Sequence, residues 1–153
     1  MTKPFEVVAS VYSVSGRDGD FAWMSQQSEH NKTLFVFNDN EEQFRAFLRG
    51  DSSGFSKGGG NAAIRPLRRL KPPRAAGVPT GSGGRGYSRL DERTRKTIDE
   101  SLAVIQQLLN SGDYERMIFS KDESAPTLGT GIFFVSDEVK KYIYEALVSM
   151  TPR

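Results

Sequence analysis

Thr33-Leu-Phe-Val-Phe-Asn-Asp-Asn40, followed by Glu41-Glu-Gln-Phe-Arg-Ala-Phe-Leu48, is the stretch on which the fold turns. Thr33–Phe37 is a nearly continuous apolar run, the pattern of a strand buried on both faces of a parallel sheet. It stops at Asn38-Asp39-Asn40. The next eight residues then switch to helical spacing, with Phe44, Phe47 and Leu48 on one face and Asn40 placed to cap the first turn. A buried strand, a polar break and an amphipathic helix make one unit of an α/β fold.

The same alternation extends in both directions. Phe5–Val14 alternates well enough for a strand, broken by Gly16-Arg-Asp-Gly19. Phe21-Ala-Trp-Met24 is a short apolar patch whose Trp23 reads as core or rim, and Ser25–Lys32 is a polar loop in which His30 is expected to be solvated. Downstream, Asn61–Arg65 opens a helix with Pro66 in its first turns, which Lys71-Pro-Pro73 ends. Ala75–Pro79 reads as a short strand. From Asp91 to Asn110, Ile98, Leu102, Ile105 and Leu109 recur at spacings of 4, 3 and 4, the signature of one helical face. Arg116–Ser120 is a strand, Ile132–Val135 is an apolar strand or packed loop exit, and Ser136-Asp-Glu caps a last helix carrying Val139, Ile143, Ala146 and Leu147. The expected fold is an α/β, three-layer-like sandwich with a mixed, mostly parallel sheet flanked by helices. The 153 residues fit a single domain, 1–153, with a basic, glycine-rich insert at about 50–88.

Composition narrows the chemistry. There is no cysteine and only one histidine, which excludes disulfides, thiolate and multi-histidine metal sites and a cysteine nucleophile. No metal site and no cofactor is expected. No apolar run approaches 18 residues, so no membrane partner is expected. Met1-Thr-Lys-Pro-Phe-Glu lacks the apolar core of a secretion signal, which makes the cytoplasm the expected compartment. Charge is uneven: residues 49–96 hold twelve Lys/Arg against three Asp/Glu, about +9, while the remainder holds nine against sixteen, about −7. A basic block of this kind either draws an anionic partner or balances acidic helices as a solvated surface.

Three loops follow strands and are therefore candidates to meet at one sheet edge, where parallel α/β folds bind ligands. They are Asn38-Asp39-Asn40, Ser56-Lys57-Gly58-Gly59-Gly60-Asn61 and Leu128-Gly129-Thr130-Gly131. Consecutive glycines let backbone N–H groups curl around an anion, and Lys57 and Arg65 lie near enough in sequence to meet phosphates. The alternative is that these glycines only turn the chain and that Asn40 only caps its helix. Gly60 is followed by Asn61 rather than Lys-Ser/Thr, so this is not a Walker loop. Glu41-Glu42 and Asp122-Glu123 are adjacent carboxylates, which do not face each other on a helix and make poor acid pairs. Tyr87, between Arg85 and Arg89, either stacks on a base or anchors its loop.

A strand ending in Asn38-Asp39-Asn40, then Gly58-Gly-Gly-Asn-Ala-Ala-Ile64, resembles the first ligand loop of macro domains. Ala125-Pro-Thr-Leu-Gly-Thr-Gly-Ile-Phe133 is similar to their second, phosphate-gripping loop. The segments Leu34–Asn40, Gly59–Arg65 and Gly77-Val-Pro-Thr80 also resemble a succession found in small uncharacterised bacterial and phage proteins. The macro-like resemblance implies an ADP-ribose-like nucleotide as ligand. Gly129–Phe133 would then surround the diphosphate, Asn40 and Gly58–Gly60 would lie near the distal ribose, and Asp39 would take the adenine or a ribose hydroxyl. Such a protein binds the nucleotide, sequestering a nucleotide signal. The alternatives are an ADP-ribosyl hydrolase, with Asn40 or Asp39 positioning water, and a nucleic-acid-binding protein using the basic segment 65–95.

Overall fold

The computed structural model describes residues 3–131 and 133–153. Four parallel strands form the central sheet in the order β1, β6, β2, β3. Here β1 is Glu6–Ser10, β2 Thr33–Asp39, β3 Ala75–Pro79 and β6 Arg116–Ser120. A separate two-stranded antiparallel hairpin, β4 (Gly81–Ser82) with β5 (Arg85–Gly86), follows β3. The central sheet is thus wholly parallel, and among the described residues antiparallel pairing is limited to this hairpin and an isolated bridge between Lys121 and Leu128.

The double-sided burial read from Thr33–Phe37 has a direct counterpart. Leu34 and Val36 join Met117, Phe119, Ala76 and Val78 on one face. There they pack against α3 (Glu92–Asn110) and α4 (Asp137–Val148) through Ile98, Ile105, Val139 and Ile143. Phe35 and Phe37 point to the other face. They meet Phe21 and Met24 of α1 (Phe21–Met24) and Ala62 and Ile64 of a 3-10 helix, Gly60–Arg69. The result is a three-layer α/β sandwich. The edge strand β3 is buried along its whole length, and α2 (Glu41–Arg49) packs beside it.

Helix ends follow their sequence signals. Asn40 Oδ1 accepts from Gln43 N at 2.9 Å, and Asp91 Oδ1 from Thr94 N at 2.8 Å. Gly50, at φ 79°, ends α2 in the left-handed region and donates to Ala46 and Phe47 carbonyls.

Several expectations are corrected. The first strand stops at Ser10 rather than Val14, because its last sheet bond is Lys121 N to Ser10 O, and Val11, Tyr12 and Val14 then turn outward. The segment opening at Asn61 is a 3-10 helix from Gly60, with Pro66 unable to donate in its middle. In α2 the inward residues are Phe44 and Ala46, while Leu48 is exposed. Of the apolar run Ile132–Val135, Ile132 lies outside the described residues and Phe133–Val135 form no strand, since β1 and β2 already occupy both sides of β6. His30, expected in solvent, is 8% exposed; it bonds Thr33 Oγ1 and sets its ring edge-on to Phe35. The basic segment 50–88 carries β3 and the whole Gly60–Arg69 layer, so it is built into the domain. Among the described residues no helix is long and apolar enough to cross a membrane.

Candidate functional site

Strand order determines where the sheet opens. The connections leaving β1 and β2 cross the face covered by α1 and the 3-10 helix, while the chain leaving β6 reaches α4 on the opposite face. Because β6 lies between β1 and β2, its carboxyl end is a topological switch point. Such points leave a crevice where parallel α/β sheets bind ligands.

The three residues that end β2 divide their work. Asn38 Nδ2 donates to Gly129 O at 2.6 Å, which fastens the second glycine loop to the sheet. Asn40 caps α2. Asp39 turns inward with a side chain 0% exposed, and its two oxygens accept from Arg65 Nη2, at 3.0 Å, and from Arg68 Nη2. Both guanidinium groups also lie against the Phe37 ring. Burial lowers the pKa of both arginines, that of Arg68 to about 9, which leaves Arg68 cationic at neutral pH.

This buried cluster shapes the first glycine loop from beneath. Arg65 Nη1 donates to Ser56 O at 2.9 Å. A Cβ on Gly58 would lie 2.8 Å from that same nitrogen, so the loop can follow the arginine closely only as glycine. Gly58 N then donates to Ala62 O, and Ala62 N to Gly59 O. Gly59 and Gly60 are exposed, with open space where a Cβ would stand, and Gly60 takes a left-handed φ of 55°. Lys57 is exposed and forms no ion pair among the described residues.

The two glycine loops converge on Ser120, the last residue of β6. Asn61 Nδ2 donates to Ser120 Oγ at 3.0 Å, and Gly129 N donates to Ser120 O at 2.9 Å. Asn61 also donates to Gly19 O and accepts from Phe21 N, so it ties the β1–α1 loop into the same junction. Thr130 is half-buried and Gly131 exposed at φ 65°; Ile132 lies outside the described residues. The segment continues through Phe133 and Phe134, 62% and 76% exposed, to the hairpin, where Ser136 N donates to Tyr87 O. No family model, curated protein or solved structure matches the chain.

The predicted residues therefore fall into two groups. Asn38, Asn61, Gly129 and the backbone of Gly58–Gly60 gather at the end of β6. Asp39 and Arg65, expected to touch ligand, are held in the interior as each other's partners. Ser120 and Arg68 were not singled out by the sequence, although Arg68 follows Arg65 at helical spacing. Tyr87 is an anchor: it is buried and donates to Glu41 Oε1 at 2.8 Å, and burial pushes its hydroxyl pKa up. Among the described residues no group of three or more His, Asp or Glu side chains is placed to hold a metal ion. The two loops offer exposed backbone at Gly59 and Gly60 and the exposed Lys57, and the second runs on into the exposed Phe133 and Phe134; groups of these kinds suit an anion bearing a flat ring.

Proposed function

We propose that this protein binds an ADP-ribose-like nucleotide at the carboxyl end of β6, between the loops 56–61 and 129–133. The observation that carries the reading is the convergence of both glycine-rich loops on Ser120 at the switch point of the sheet. The exposed Gly59–Gly60 backbone and Lys57 supply positive partial and full charge to the diphosphate. Asp39 and Arg65 act beneath the site, holding Ser56 and the glycine loop in place.

The geometry favours binding over hydrolysis. Asn40 is engaged as a helix cap, and Asp39 is closed off by two arginines, so neither is free to position a water. It also weakens the case for nucleic acid. Arg65, Arg68 and Arg74 of the basic segment 65–95 are committed to interior partners, Arg74 to the Ser25 and His30 carbonyls, and Tyr87 is buried away from any base.

The test is a thermal-shift series with ADP-ribose, NAD, cyclic ADP-ribose isomers, ATP and short oligonucleotides, each at low and high salt. A ligand at a hundred times its dissociation constant adds about 2.7 kcal/mol. An ADP-ribose shift that persists in salt is expected, because a diphosphate displaces few counterions. A shift produced only by oligonucleotides and lost in salt, or no shift at all, overturns the reading.

A further inference from the structure

A cavity lies away from the carboxyl end of β6. It opens beside the amino-terminal ends of β3 and β6, between α2, the end of the 3-10 helix and the last turn of α3, with a volume of about 520 Å³. That is within the usual range for small-molecule sites, roughly 300–1,000 Å³. Phe47, Phe55, Leu108 and Tyr114 give it apolar walls, and Arg68, Arg69 and Lys71 also line it.

Arg68 sets this cavity apart from a surface dimple. Its side chain is 1% exposed, and its guanidinium carbon sits 4.6 Å from the centroid of Phe47, a wall of the cavity. Nη2 is used by Asp39, but Nε and Nη1 have no hydrogen-bond partner among the described residues. Asp39 is meanwhile shared with Arg65, so two buried cations face one buried carboxylate. Buried charge and buried donors are ordinarily matched. Here negative charge and hydrogen-bond acceptors are both in deficit around a side chain that lines a cavity. Arg69 stacks over Phe55 at 4.2 Å, and neither it nor Lys71 forms an ion pair among the described residues. Asp113 is the one acid in the lining.

We infer that this cavity is a second binding site, for a small organic anion with an apolar, aromatic-sized body and a single carboxylate or comparable oxyanion head. The body fills the space between Phe47, Phe55 and Tyr114. The head supplies the missing negative charge to the cationic end of the cavity, where Arg68, Arg69 and Lys71 line it.

The test uses sodium 2-naphthoate as probe and 2-naphthamide as its neutral isostere, each titrated into the full-length 15N-labelled chain. Saturable shifts are expected in the amides of residues 68–73 and 107–114, with the acid binding at least tenfold more tightly than the amide. Arg69→Glu with Lys71→Glu, both at exposed positions, should weaken naphthoate at least tenfold and leave naphthamide unchanged. Saturating ADP-ribose should not compete, so the outcome stands apart from that of the nucleotide site. Equal affinity for acid and amide, shifts centred elsewhere, indifference to the double charge reversal, or no saturable binding would each overturn the inference.

Discussion

Asp39 and Arg68 meet in the interior with side chains 0% and 1% exposed, the carboxylate at the end of β2 and the guanidinium reaching it from the 3-10 helix. Gly77 of the neighbouring strand makes room for them: a Cβ there would collide with Arg68 Nη2 and lie 2.6 Å from Asp39 Oδ2. The pair joins the β2–β3 edge of the sheet to the layer that carries the first glycine loop, so its integrity governs the site above it.

Asp39→Asn should therefore be strongly destabilising. Removing one partner of a buried pair leaves the other charge uncompensated, at a cost of about 3–5 kcal/mol. Two arginines would be stranded here rather than one. For a chain of this length the loss lowers Tm by roughly 6–20 °C. A loss below about 1 kcal/mol in urea denaturation, the range of an exposed pair, would show that the two cations are not held by this carboxylate.

Gly59→Val should separate binding from folding. Gly59 has an extended φ of −80° and open space around its missing Cβ, so valine fits the fold with little strain. The added methyl groups would cover the backbone on which the diphosphate is proposed to rest. Expected are an unchanged melting temperature without ligand and loss of the ADP-ribose shift. Retained binding would remove loop 56–61 from the site. Gly86→Ala is the converse case, since a Cβ at Gly86 collides with Phe134 O and must displace the 133–135 segment.

What could be read from the chain was local. The apolar run of β2, the 4, 3, 4 spacing of α3 and the caps Asn40 and Ser136 each act within a few residues, and each appears where the pattern placed it. What could not be read depends on partners far away in the chain. Arg65 looks like a phosphate ligand until Asp39, 26 residues upstream, claims it. His30 looks solvated among Ser, Glu and Asn until Phe35 packs on its ring and Arg74 bonds its carbonyl. Phe133 and Phe134 belong to an apolar run that reads as a strand or a packed loop exit, yet both side chains are exposed.

Burial, outweighing the nearby Glu29, lowers the pKa of His30 below its ordinary 6.5. The folded state thus binds fewer protons than the unfolded state as pH falls below 6.5, so this histidine contributes stability that is present above 6.5 and lost as pH falls through its folded pKa. As the only histidine, it gives one clean imidazole signal in proton NMR. The expected midpoint lies below 6.5, and His30→Gln should flatten the fall in Tm between pH 7 and 5. A midpoint above 6.5 would mean that Glu29, not burial, sets the charge.

Among the described residues Asn61 is the one side chain that hydrogen-bonds α1, the β1–α1 loop and β6 together, and its amide uses both kinds of polar atom to do so. Oδ1 accepts from Phe21 N at 2.8 Å, while Nδ2 donates to Gly19 O and to Ser120 Oγ, each at 3.0 Å. Asn61→Asp keeps the shape and the acceptor but replaces the donor with an oxygen facing the Gly19 carbonyl. An unsatisfied, repelled pair of this kind costs about 1–3 kcal/mol. The penalty should depend on pH. The Gly19 carbonyl disfavours the new carboxylate and accepts a proton from the neutral acid, so the folded-state pKa rises above the unfolded value of about 3.9. The folded variant then binds the extra proton first, and its deficit against the parent protein shrinks as pH falls toward 4. Urea denaturation of both proteins at pH 7 and pH 4 measures this directly. An equal deficit at the two pH values would show that donation to Gly19 and Ser120 is not what Asn61 supplies, and that the two glycine loops are joined at Ser120 through Gly129 alone.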